Sequence, residues 1–125
     1  EYIEWYQNGK EKISGFFNNG NKHKNWKTWY KNGNLKSDVY YTDNKASGKW
    51  TTWFKNGSKK AEGLFNQNIP YGKHLAWYEN GQIKIEVNFK EGVFDGKYIV
   101  WDVNGLIRVN RNYKDNKCIN CGNQN

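Results

Sequence analysis

Apolar and polar residues alternate along this chain in short runs, and the runs are cut by turn residues every 10–14 positions. Residues 48–71 show one unit. Lys49-Trp50-Thr51-Thr52-Trp53-Phe54-Lys55 is aromatic and β-branched, as a strand should be, with Trp50, Thr52 and Phe54 on one face and Thr51 and Trp53 on the other. Asn56-Gly57 predicts a type I′ hairpin turn, which needs two residues tolerant of positive φ. Ser58 to Phe65 is the return strand, and a second turn at Asn66-Gln67-Asn68 leads through Gly72 into the next unit. No apolar stripe of period 3.6 survives between the turns, so helices are disfavoured.

The unit recurs every 24 residues. Trp5, Trp29, Trp53, Trp77 and Trp101 each open a five-residue phrase ending in Asn-Gly, from Trp5-Tyr6-Gln7-Asn8-Gly9 to Trp101-Asp102-Val103-Asn104-Gly105. Other columns keep step. Lys12, Lys36, Lys60, Lys84 and Arg108 form a basic ladder, and Phe17, Tyr41, Phe65, Phe89 and Tyr113 close the return strands. Ile13, Ser37, Ala61, Ile85 and Val109 are small or aliphatic, and Tyr2, Trp26, Trp50, His74 and Tyr98 share a ring slot. Ser14, Asp38, Glu62, Glu86 and Asn110 stand two positions after the basic ladder and are expected on its face, as solvated partners of it. A period of this length signals stacked units that cannot bury their apolar faces alone. The fold class is therefore all-β: tandem 24-residue hairpins forming an elongated, twisted, single-layer antiparallel sheet of about ten strands.

The domain spans residues 1–117, with a partial repeat at 1–4 and repeats starting at 5, 29, 53, 77 and 101; residues 118–125 form a C-terminal tail. Because Glu1 to Glu4 fit the end of a repeat, the N-terminus is expected to be truncated. Localisation, cytoplasmic or exported, is left open. Pro70 is expected in a loop because it cannot donate to a ladder. Lys24 stands where the other repeats have Gly, which puts its inter-repeat turn in doubt.

Composition sharpens this picture. Apolar residues make up 36% and aromatics 18% of 125 residues, too little aliphatic material for a thick two-layer core. Net charge is +8, and between Lys12 and Asp38 there is no acid, only Lys22, Lys24, Lys27, Lys31 and Lys36. Such a patch attracts acidic proteins, anionic lipid or nucleic acid. Nucleic acid is disfavoured because only two of the twenty basic residues are arginines. Abundant Lys beside about twenty Asn fits an AT-rich bacterial coding sequence.

No catalytic constellation breaks the repeat, so an enzyme is not expected. His23 is assigned to an inter-repeat loop and His74 to a packed ring. Cys118 and Cys121 form one Cys-x-x-Cys without a second half, which predicts a flexible tail with two thiols or a local disulfide, not a metal site. No cofactor is implied.

The consensus Gly-Lys-Trp-x-x-Trp-Tyr-x-Asn-Gly-x-x-Lys-x-Glu, best seen at Gly48 to Phe65, Gly72 to Phe89 and Gly96 to Tyr113, resembles the bacterial MORN repeat variant of YwqK family antitoxin proteins. Choline- and glucan-binding wall repeats fit less well, since their paired Gly-Trp and Trp-Tyr-Tyr pattern is missing. The resemblance implies a chain of hairpins acting in protein interaction, or at membranes, and an antitoxin role implies a toxin as partner. The expected contacts are Trp29, Tyr30, Trp53, Phe54, Trp77 and Tyr78 as aromatic anchors, with Lys31, Lys36 and Lys60 steering an acidic protein. The alternative is an envelope or membrane-surface module taking anionic lipid or cell-wall polymer. Open sheet edges make a homodimer a further expectation.

Overall fold

A computed structural model of the chain describes residues 1–121. These residues form one open antiparallel sheet in which every strand pairs with the next in sequence. The strands are β1 (Tyr2–Trp5), β2 (Glu11–Asn18), β3 (Asn21–Trp29), β4 (Leu35–Thr42), β5 (Lys45–Trp53), β6 (Lys59–Asn66), β7 (Ile69–Trp77), β8 (Ile83–Lys90), β9 (Val93–Trp101), β10 (Ile107–Lys114) and β11 (Lys117–Cys118). The count is eleven, one more than the repeat predicts, because residues after Tyr113 add β11. Each ladder Trp is the last residue of its strand, so the strand around residues 49–55 ends at Trp53 and not at Lys55.

The turn chemistry is the reverse of the expected one. At the Asn-Gly turns only Gly takes positive φ: Gly57 has φ 90° and Asn56 does not share it. Gly57 N–H donates to the Phe54 carbonyl at 3.0 Å and Phe54 N–H to the Ser58 carbonyl at 2.8 Å. That is a three-residue loop, a type I turn closed by a left-handed Gly. The two-residue I′ turns lie between repeats, at 19–20, 43–44, 67–68, 91–92 and 115–116, where both central residues have positive φ.

These I′ turns also tie repeat to repeat. Asn44 N–H donates to the Lys22 carbonyl at 3.0 Å while its side-chain oxygen accepts from Lys22 N–H at 2.6 Å. Asn68 does the same with Ala46, and Asn116 with Phe94. The exception explains itself. Gly92 N–H donates to the Pro70 carbonyl, and Pro70 has no N–H for an Asn side chain to accept. Pro70 therefore sits inside β7, opposite Phe65, and not in a loop. At this register the equivalent Ala46 N–H points away from the neighbouring strand toward Asn68, so proline forfeits no ladder bond.

Two irregularities recur in every complete repeat. A left-handed residue kinks the outgoing strand at Lys24, Gly48, Gly72 and Gly96. Lys24, at φ 65°, keeps the geometry its glycine counterparts adopt, so the first inter-repeat connection is regular after all. The second irregularity is a bulge at the basic ladder: Ala61 pairs with Thr52 but Lys59 with Trp53, leaving Lys60 unpaired. The same offset leaves Lys12, Lys36, Lys84 and Arg108 unpaired in their strands.

The bulge breaks the period-two alternation. Lys60 lies over Phe54 on the face of Ala61, whereas Glu62 is on the opposite face with Lys49 and Lys59. The acids thus do not share the face of the basic ladder, because one extra residue separates two alternating runs.

Burial is thin, as one layer requires. Trp26 at 7% and Val87 at 8% exposure are the buried apolar residues, and Thr51 at 6% is the buried polar one. The column at 15, 39, 63, 87 and 111 reads Gly, Val, Gly, Val, Arg, a two-repeat alternation. Where it is Gly, a ring from the next strand lies on it: Trp26 covers Gly15 and donates Nε1–H to the Phe16 carbonyl at 3.0 Å. His74 covers Gly63 with Nε2 2.9 Å from the Leu64 carbonyl, packed edge-on between Phe65 and Phe89 as a ring should be. His23 lies in β3 opposite Phe16, not in a loop.

Candidate partner-binding surface

One cross-strand row runs the length of the sheet. Register joins Glu4 to Ile13, then Thr28, Ser37, Thr52, Ala61, Ala76, Ile85, Val100 and Val109 in turn. Between Thr28 and Ala76 every member is small, and Thr28 and Ser37 satisfy each other by a 2.6 Å hydroxyl contact. The row is the floor of a trough crossing the strands. Two grooves lie along it, one of about 580 Å³ over Ala61 and Ala76 and one of about 320 Å³ over Thr28 and Ser37.

One rim of the trough is a train of rings. Trp50, Phe65, His74 and Phe89 meet edge-on at centroid distances of 6.1, 5.2 and 4.9 Å, and the train continues through Phe94 to Tyr98 and Tyr113. Such contacts add roughly 0.5–1.5 kcal/mol each beyond area burial.

The other rim pairs each basic ladder residue with the first ring of its turn. Lys12 lies over Tyr6 at 5.7 Å, Lys36 over Tyr30 at 5.6 Å, Lys60 over Phe54 at 5.7 Å and Lys84 over Tyr78 at 5.6 Å. The near-identical distances show that the bulge delivers each stem onto its ring in the same way. The rings are themselves fixed: Tyr6, Tyr30 and Tyr78 donate their hydroxyls to the carbonyls of Trp29, Trp53 and Trp101 in the next repeat. None of these four ammoniums has a carboxylate within ion-pair distance among the described residues.

The fifth repeat changes both partners together. Asp102 replaces the ring and Arg108 the lysine, and Arg108 Nη2 lies 2.8 Å from Asp102 Oδ2. Asp102 also accepts from the backbone N–H groups of Asn104 at 2.9 Å and Leu106 at 3.0 Å. The Leu106 and Asn104 hydrogen bonds, with Arg108, hold its carboxyl below the ordinary value. The unpaired positive ladder therefore ends at Lys84.

The expected contact residues divide between the two faces. Tyr30, Lys36, Phe54, Lys60 and Tyr78 come together along the trough. Trp77 lines the larger groove but turns its ring to Lys59 on the opposite face, and Trp29 shares a groove there with Trp5, Lys10 and Glu11. Trp53 holds the same strand-end position as both, and all three of these tryptophans are half-buried. Lys31 is exposed on a turn whose carbonyl accepts from Asn8. Lys12, Lys84 and Tyr6 belong to the trough but were not among the expected residues, although the same columns contain them. The floor residues Ala61 and Ala76 carried no signal beyond being small.

At the C-terminal end Cys118 and Cys121 are disulfide-bonded, and Ile119 N–H donates to the Asn112 carbonyl at 2.8 Å. Residues 117–121 are thus attached to β10 and not a free tail. The rest of the expected tail, 122–125, lies outside the described residues.

A family model described as the MORN repeat variant matches residues 22–43, 46–67 and 70–91, more than half of the chain. Each match starts with the outgoing strand of one hairpin and ends in an I′ turn. No curated protein matches the chain.

Proposed function

The chain belongs to the MORN repeat variant family, whose repeats serve as protein- and membrane-binding modules, and we propose that it is a non-enzymatic module that binds a protein partner, neutralising or scaffolding it in the manner of an antitoxin or immunity protein. The supporting observation is the trough, in which four repeats present the same unpaired ammonium on the same ring beside a floor of small side chains. Among the described residues that face gathers no acid, base and nucleophile at one point; it repeats one contact. Repetition of one contact suits avidity along a surface and not chemistry at a point. Capture of a stoichiometric protein partner from the native host, starting with neighbouring gene products, tests this. Stoichiometric binding to lipid or glycan with no protein captured would sink it.

A second reading has its own observation. Lys22 lies over both Trp26 and Tyr41 at 5.0 and 5.1 Å at the other side of the trough, and Lys24 lies over Phe16 at 5.5 Å on the opposite face, so the basic stretch is held against rings. That surface suits anionic lipid or a cell-wall polymer. Flotation with anionic vesicles at low and high salt tests it, and binding indifferent to lipid charge counts against it.

A further inference from the structure

Given the protein-binding reading above, on which this inference rests, we propose that the trough takes an extended acidic segment of the partner in polyproline II conformation, crossing the strands, with a carboxylate at every third residue. Spacing carries the argument. Equivalent positions in successive repeats lie two strands apart, about 9.6 Å at about 4.8 Å per strand. A polyproline II chain repeats every three residues over about 9.3 Å, so every third side chain returns to the same side. A β-strand covers a similar length in three residues but turns every third side chain to alternate sides. Only the threefold conformer can therefore keep meeting Lys12, Lys36, Lys60 and Lys84 from one edge.

The cross-section agrees. Trp50 and Phe54, on opposite rims, are four residues apart in sequence, about 13 Å at about 3.3 Å per residue. That admits one extended chain over Thr52, Ala61 and Ala76. Aromatic-lined grooves are the surfaces on which polyproline II segments dock, because the ligand arrives already ordered. The ammoniums are ordered too, since each stem is laid along a ring, which lowers the entropy lost on binding. Their charges are unspent: Asp38, Glu62 and Glu86 sit in the row on the opposite face, and Glu4 and Glu79, which line the grooves, form no ion pair with the ladder among the described residues.

The test uses a fluorescent peptide of repeating Glu-Pro-Pro triplets and an isomer of the same composition with its glutamates clustered at one end. The triplet peptide is expected to bind about tenfold tighter. The variant K36Q/K60Q/K84Q should weaken triplet binding about thirtyfold, taking about threefold for each exposed ion pair lost. The variant K27Q/K49Q/K73Q carries the same charge change on the opposite face and should move it by less than about twofold. Equal binding of the two peptides, or equal losses in the two variants, overturns the proposal. So does binding to anionic phosphatidylserine vesicles with neither peptide bound. A host protein captured equally by the wild type and K36Q/K60Q/K84Q would overturn the trough while leaving the protein-binding reading intact.

Discussion

The two faces of this sheet use the same residue types for opposite ends. On the trough face the ladder lysines lie over rings and form no ion pair, although Glu4 and Glu79 line its grooves; on the other face Lys59 pairs with Glu62 at 2.8 Å and Lys49 approaches it at 4.0 Å. Tryptophan divides likewise. Trp26, on the trough face, is 7% exposed and lies on Gly15, while Trp5, at a strand end, is 59% exposed. The bulge at the basic ladder produces the difference, because it turns each ladder lysine away from the acid two residues on. Stability and recognition are thus shared out by register, not by composition.

The comparison breaks most visibly at the tryptophans. Trp26→Ala should cost about 3 kcal/mol in urea unfolding, since it empties the best-buried ring slot, whereas Trp5→Ala should cost less than about 0.5 kcal/mol. Equal costs would mean that the ring cluster of Tyr2, Phe17 and Trp26 does not hold the sheet. Next comes Gly63→Ala, whose added Cβ would lie 2.2 Å from the His74 ring. Overpacking there should cost about 2 kcal/mol and lower the thermal midpoint.

Lys24→Gly tests backbone strain apart from either face. Relief of the left-handed lysine should raise stability by about 0.5–1 kcal/mol, net of the freedom glycine gains when unfolded. A loss would show that the Lys24 stem over Phe16 matters more than the backbone. Smaller still are Lys60→Gln and Glu62→Gln, each about 0.5 kcal/mol. They should part company in 1 M salt, where the exposed ion pair is screened and the stacked stem is not. Last is pH. The Asp102 carboxyl is held below 3.8 when folded, so its contribution is complete above that value and lost as pH falls through the folded pKa. Acid titration of unfolding should show a step below about pH 4 that Asp102→Asn lacks.

Strand order, antiparallel pairing and the length of the repeat were legible because they depend on periodicity alone. Trp50, Thr52 and Phe54 fall on one face as the alternation predicts. The turn types were not legible, because Asn-Gly serves both I′ turns and the left-handed end of a type I turn. The choice depends on loop length, which the return strand settles at Lys59. The bulge was invisible as well: one unpaired residue leaves every column intact at period 24 yet moves Lys60 to the face opposite Glu62. Aromatic anchors were therefore assembled from Trp-Tyr pairs that the strand splits between two faces. The Gly-Val alternation at 15, 39, 63 and 87 was present in the sequence, but its meaning required seeing Trp26 and His74 lie on the glycines.

Pro70 and Gly92 give the array a grammar. Most hairpins here could be duplicated or deleted in blocks of 24 without disturbing a clasp, because Asn44, Asn68 and Asn116 each meet a residue with a free N–H. A recombination that carried Pro70 without Gly92 would set an asparagine oxygen against a proline ring. An asparagine at position 92 would therefore gain no clasp from residue 70, and this joint is held by the Gly92 N–H alone.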